Sequence, residues 1–118
     1  MNRKINGIKG NEKEVVAGIL EYLKLIKVRA WRNNTGAFKD SNNHFYRFGL
    51  VGSADITGIL PNGRRLEIEC KHGRNRLTPA QEDFLKMIVE NNGVAIIAYS
   101  LADVVNAKAN NWRSNVRL

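Results

Sequence analysis

The chain predicts an α/β fold: a mixed β-sheet flanked by helices, in the order helix, three strands, helix, strand, helix. Three observations carry that prediction. Apolar residues recur at helical spacing over residues 11–28. Two short alternating runs are joined by the turn residues Pro61-Asn62-Gly63. A helix start at Thr78-Pro79-Ala80-Gln81 precedes a continuous apolar run over residues 94–99.

In the first helix, Val15, Val16, Ile19, Leu20, Leu23 and Ile26 form the apolar stripe, with Asn11 as the expected N-cap and Glu14 as the capping-box acid. A strand is expected near residues 28–33. Residues 34–43, rich in Gly, Asn, Ser and charge, read as a mobile loop. His44-Phe45-Tyr46-Arg47-Phe48 interleaves aromatics with a base, which fits either a strand docked on the core or a nucleic-acid stacking element. Gly49, Gly52 and Gly58 allow tight turns and close backbone approach before residues 54–60 and 64–71, the two strands of a hairpin. Thr78 then caps a helix with Pro79 in its first position and Gln81 closing the capping box; Phe84, Leu85, Ile88 and Val89 form its stripe, and Asn91-Asn92-Gly93 ends it. The run over 94–99 fits a strand buried on both faces, reached by a parallel crossover. Ser100 caps a last helix carrying Leu101, Val104 and Val105. There is no repeat, linker or domain boundary, so residues 1–118 read as a single domain.

Composition narrows the function. The content is 43% hydrophobic and 25% charged, as in soluble globular proteins, and no apolar run approaches the roughly 20 residues needed to span a bilayer. No apolar segment follows Met1-Asn2-Arg3-Lys4, so no secretory signal is expected. The lone Cys70 excludes an internal disulfide and a cysteine-based zinc site, and a reducing cytoplasm is the expected setting. A net charge of +8 with a pI near 10.0 asks for a polyanionic partner. Basic residues crowd residues 22–47, against the single acid Asp40, and residues 62–77, against Glu67 and Glu69.

Strand alternation puts Glu67, Glu69 and Lys71 on one face and Leu66, Ile68 and Cys70 on the other. Asp55, on the neighbouring strand, would face the first set. Two carboxylates offer the hard oxygen donors that Mg²⁺ takes. A lysine beside them can orient or deprotonate a nucleophile, or stabilise the charge that develops on a phosphorane. The competing reading is an ordinary cross-strand ion pair on an exposed sheet face. His44 and His72 fit no metal pattern and read as surface or phosphate-contacting residues.

The run Gly49-Leu50-Val51-Gly52-Ser53-Ala54-Asp55-Ile56, then Glu69-Cys70-Lys71, then Gln81, closely resembles the VRR-NUC nucleases, a branch of the PD-(D/E)xK superfamily with small stand-alone members in bacteriophages. Trp31-Arg32-Asn33-Asn34-Thr35-Gly36 resembles the segment preceding the family's Gly-x-x-Asp motif, so the likeness runs from about Glu14 to Tyr99. Ala54 stands where the superfamily name has proline. The resemblance implies a restriction-endonuclease-like fold and a Mg²⁺- or Mn²⁺-dependent DNA endonuclease. It implies Asp55, Glu69 and the Cys70 carbonyl as metal ligands, Lys71 as the catalytic lysine and Gln81 beside the site. Glu14 matches a first-helix acid that in related junction resolvases can reach the metal. Stand-alone members suggest cutting of branched DNA, especially four-way (Holliday) junctions, by a homodimer, in the host cytoplasm for a phage protein. The apolar residues of the first helix and the Trp112 tail are the candidate dimer surface. Arg32, Arg47, Arg74 and Arg76 are the candidate DNA contacts. The alternatives are a nicking or flap repair nuclease and a non-catalytic basic nucleic-acid-binding module.

Overall fold

A computed structural model describes the backbone of residues 3–117 and the side chains of residues 12–117. Its elements, in order, are α1 (Arg3–Leu25), β1 (Arg29–Arg32), β2 (Gly36–Lys39), β3 (Phe45–Phe48), β4 (Ile56–Ile59), β5 (Arg65–Cys70), α2 (Pro79–Glu90), β6 (Val94–Ala98) and α3 (Leu101–Ala109).

The first helix begins eight residues before the expected cap, at Arg3 instead of Asn11. Gly7 and Gly10 each cost a helix about 1 kcal/mol but do not break it. Residue 11 therefore lies inside α1, its side chain outside the described residues, and Glu14 is no capping-box acid. At the other end, Lys27 adopts φ 64°. Val28 N–H donates to the Leu23 carbonyl at 2.9 Å and Lys27 N–H to that of Lys24 at 3.1 Å, the bond pair of a Schellman motif. That turn reverses the chain into β1.

The main sheet has the order β1-β4-β5-β6. β1 pairs with β4 and β4 with β5 in antiparallel fashion, while β5 and β6 are parallel. The expected hairpin and the expected crossover through α2 are both present. The capping box of α2 forms as read: Gln81 N–H donates to Thr78 Oγ1 at 3.2 Å and Thr78 N–H to Gln81 Oε1 at 2.9 Å.

Helices cover both faces of the sheet. On one, Val16, Ile19 and Leu23 of α1 and Val104 and Ala107 of α3 pack over Leu66, Ile68, Cys70 and Ile96. On the other, Phe84, Leu85 and Ile88 of α2 pack on Ala54 and Ala95. β6 is buried along nearly its whole length, as expected of a strand covered on both faces. Its outer edge is covered by the C-terminal segment: Asn115 exchanges side-chain bonds with both backbone groups of Ile97 at 2.8 and 2.9 Å, and Ala95 N–H reaches Ser114 Oγ at 3.0 Å. Trp112 packs against the core beside α1. Val16, Ile19 and Leu23 of the α1 stripe are thus buried inside the fold, while Val15, Leu20, Ile26 and Trp112 are partly covered by it.

The other correction concerns residues 34–48. The expected loop contains β2, which pairs with β3 in a second, separate two-stranded sheet. β3 is a strand but does not dock on the core, because every residue of β2 and β3 is exposed. The element order therefore has two more strands than expected. Among the described residues, no helix is long and apolar enough to cross a membrane.

Candidate active site

The site is assembled where β4 begins and β5 ends. Asp55 precedes Ile56, whose register partner is Ile68, so it stands opposite Glu69. Two devices fix it there. Asn33, just after β1, receives the chain: its N–H donates to the Asp55 carbonyl at 2.8 Å, and its side-chain amide reaches Ala54 O and Ser53 Oγ, each at 2.9 Å. The turn before Asp55 presses on the start of α2. At Gly52, with φ +86°, an added Cβ would sit 2.6 Å from the Ala80 carbonyl oxygen, so only glycine allows this approach. The two contacts hold Asp55 close to the first turn of α2, where Gln81 stands.

The side chains then converge. Cys70 N–H donates to Asp55 Oδ2 at 2.8 Å, and the Asp55 and Glu69 carboxyls are near enough for the charge of one to act on the other. Gln81 Nε2 donates to Glu69 Oε2 at 3.1 Å, while the other end of the same amide caps α2. One amide thus caps the helix and touches Glu69. Lys71 Nζ lies 3.7 Å from Glu69 Oε2. Glu69 and Lys71 are only 4% and 8% exposed, so this is a buried polar cluster and no solvated ion pair on a sheet face.

Electrostatics follow from that crowding. Burial, then the neighbouring Asp55 and Glu12 carboxylates, push the Glu69 carboxyl up to about 8, against the pull of Lys71. The Asp55 carboxyl is also raised, by burial first and then by Glu12, with the Cys70 N–H opposing. Cys70 is buried in the core, and burial pushes its thiol up, as expected of an inert structural cysteine. Glu67, fully buried, is committed elsewhere: Arg65 Nε lies 2.6 Å from its Oε2 and Thr57 Oγ1 3.2 Å from its Oε1. Burial raises its carboxyl too, with Arg65 opposing. The preference for Glu69 over Glu67 is consistent with this pairing.

The first-helix acid whose charge is felt at Asp55 and Glu69 is Glu12, two residues before the expected Glu14. The reason is helical geometry. Glu12 falls on the buried stripe with Val16, Ile19 and Leu23, whereas Glu14 is exposed and lies about 200° further round the helix. An acid on an apolar stripe was the available signal, obscured by taking Asn11 as the helix start. Asn33 was noticed only as part of a motif; its three bonds to residues 53–55 make it the residue that positions Asp55.

The basic residues surround this cluster at different distances. Arg32 is near enough for its charge to act at Cys70. From it, a groove of about 700 Å³ runs between α1 and β1, lined by Arg32, Trp31, Arg29, Lys27 and Lys24, with Glu21 as its acid. Arg74 and Arg76 are exposed on the connection from Lys71 to α2. Arg47 lies on β3, its guanidinium 5.4 Å from the centre of the Phe45 ring. His44 is held 3.4 Å from Asp40, away from the carboxylate cluster.

No protein-family model and no curated protein sequence matches the chain.

Proposed function

We propose that the chain is a metal-dependent DNA endonuclease of restriction-endonuclease-like fold, selective for branched DNA such as four-way junctions, and working as a homodimer with Mg²⁺ or Mn²⁺. The observation that carries this reading is the Asp55–Glu69–Lys71 cluster. A half-buried carboxyl, Asp55, stands opposite a buried one, Glu69, with a lysine 3.7 Å from Glu69 and a third acid on α1 near enough to act on both. Such a like-charged pair is costly unless a proton or a cation sits between its members. Its oxygen donors are of the hard kind that Mg²⁺ and Mn²⁺ prefer.

Asp55, Glu69 and the Cys70 carbonyl would hold the ion, with Glu12 adding negative charge from α1. When bound, such an ion polarises a phosphodiester and makes a water more acidic. The rest is work for the chain itself. Lys71 stands on the same face as Glu69, where its ammonium can orient the attacking water and neutralise charge growing on the phosphorus oxygens. Gln81 fixes the Glu69 carboxylate through one bond and so keeps one oxygen directed. Asn33 holds the backbone of Asp55. The basic groove beside β1 and the arginines after Lys71 would carry the phosphates on either side of the cut.

Thermal unfolding with Mg²⁺, Mn²⁺ or chelator tests the ion site without substrate. The melting temperature should rise with metal by linkage, and Asp55→Asn should abolish the rise. An equal rise in Asp55→Asn would remove Asp55 from the site. No rise in the wild type, together with metal-independent, salt-sensitive DNA binding, would favour the non-catalytic module instead.

A further inference from the structure

The β2–β3 hairpin stands apart from the main sheet, and its two faces differ. The register pairs Gly36 with Phe48, Phe38 with Tyr46, Ala37 with Arg47 and Lys39 with Phe45. Strand alternation therefore places Phe38, Tyr46 and Phe48 on one face and Lys39, Phe45 and Arg47 on the other. On the first face the Phe38 and Tyr46 rings stack at 5.1 Å and Phe38 meets Phe48 at 6.5 Å. The Phe48 ring also lies over Gly36, where an added Cβ would be 2.8 Å from it. The three rings form one continuous patch, yet Phe38, Tyr46 and Phe48 remain 54%, 44% and 47% exposed.

We infer that this aromatic face is the contact between two copies of the chain, the arms packing face to face about a twofold axis. The inference rests on the homodimer in the reading above and gives it a surface. Charge argues for a second copy as the occupant. Two chains each carrying +8 repel, so a stable contact must form where cations are few, and this face of the hairpin carries no lysine or arginine, only His44 beside Tyr46, paired with Asp40 at 3.4 Å. For the same reason it is a poor seat for a phosphate backbone, which Lys39 and Arg47 on the opposite face would serve. A patch paired with its own image is the isologous arrangement of most dimers. Finally, a two-stranded sheet with both faces in water is marginally stable by itself, and the dimer would supply the missing layer.

Sedimentation velocity on the full chain, at low and high salt, tests the inference. The wild type should be a dimer that tightens as salt screens the like charges. Phe38→Asp should weaken association by roughly tenfold or more, and Phe45→Asp, which puts the same charge on the opposite face, should not. As a check independent of arm folding, Phe38→Cys should form a disulfide-linked dimer on mild oxidation and Phe45→Cys should not, since Cys70 is buried. A wild-type dimer indifferent to Phe38→Asp and uncrosslinked by Phe38→Cys would place the interface elsewhere. Weaker DNA binding by Phe38→Asp with the dimer intact would make the patch a base-stacking surface and overturn the inference. A monomeric wild type that still shows metal-dependent stabilisation would sink the interface and leave the nuclease reading standing.

Discussion

Glu69 concentrates the physical argument, because burial and Asp55 raise its carboxyl from the usual 4.5 to about 8. The folded chain then holds a proton that the unfolded chain has released between those values. Stability from this group is fully present below pH 4.5 and is lost as the pH climbs through about 8. In chelator, the melting temperature should fall across that window. Added Mg²⁺ competes with the same proton, so the stabilisation it gives should grow over the same range. A flat metal effect from pH 5 to 9 would show that Glu69 does not bind the ion. Glu12 and Glu14 make a paired test. Glu12→Gln should reduce metal-induced stabilisation and Glu14→Gln should not, since only Glu12 lies on the buried stripe of α1. Equal effects would return the first-helix role to open question. The Asp55, Glu69 and Lys71 cluster was readable from strand alternation and an acid-rich spot in a basic chain. Glu12 was not read, because its meaning depends on where α1 begins.

Among the elements, α2 was the most readable, since Thr78, Pro79 and Gln81 each satisfy a separate requirement of a helix start. Its first turn also separates a structural role from a functional one. Thr78→Ala should cost about 1 kcal/mol of stability and leave the site intact. Gln81→Ala should cost about as much and also impair cutting, because it releases Glu69 as well. Denaturant melts paired with cleavage rates distinguish the two, and equal activity in both variants would reduce Gln81 to a cap. The end of α1 offers a converse case. Lys27 holds a left-handed φ of 64°, so Lys27→Gly should raise stability by about 1 kcal/mol. The β2–β3 arm escaped sequence reading for a plain reason. Gly36-Ala37-Phe38-Lys39 is exposed on both faces, so burial imprints no period-two pattern upon it. The parallel crossover was readable because the buried strand and the helix before it each carry strong apolar signals.

Taken together, the chain is a small, strongly basic α/β domain in which three acids, Asp55, Glu69 and Glu12, act on one another at one end of the β4–β5 hairpin. Its DNA affinity should therefore fall steeply with salt, in proportion to the number of phosphates neutralised. Titrations with a labelled four-way junction between low and physiological salt would measure that slope. Loss of Arg29 and Arg32 together should lower it by about two units if the groove beside β1 carries phosphates. The decisive measurement is cleavage of labelled four-way junction, flap, single-stranded and linear duplex DNA, with Mg²⁺, Mn²⁺ or chelator, by the wild type and Lys71→Ala. Metal-dependent, paired symmetric cuts in the junction are expected, falling by about 10²-fold or more in Lys71→Ala. Metal-dependent cutting of every substrate would keep the nuclease and remove the junction preference. Tight binding with no metal-dependent cutting of any substrate would contradict the catalytic assignment of Asp55, Glu69 and Lys71.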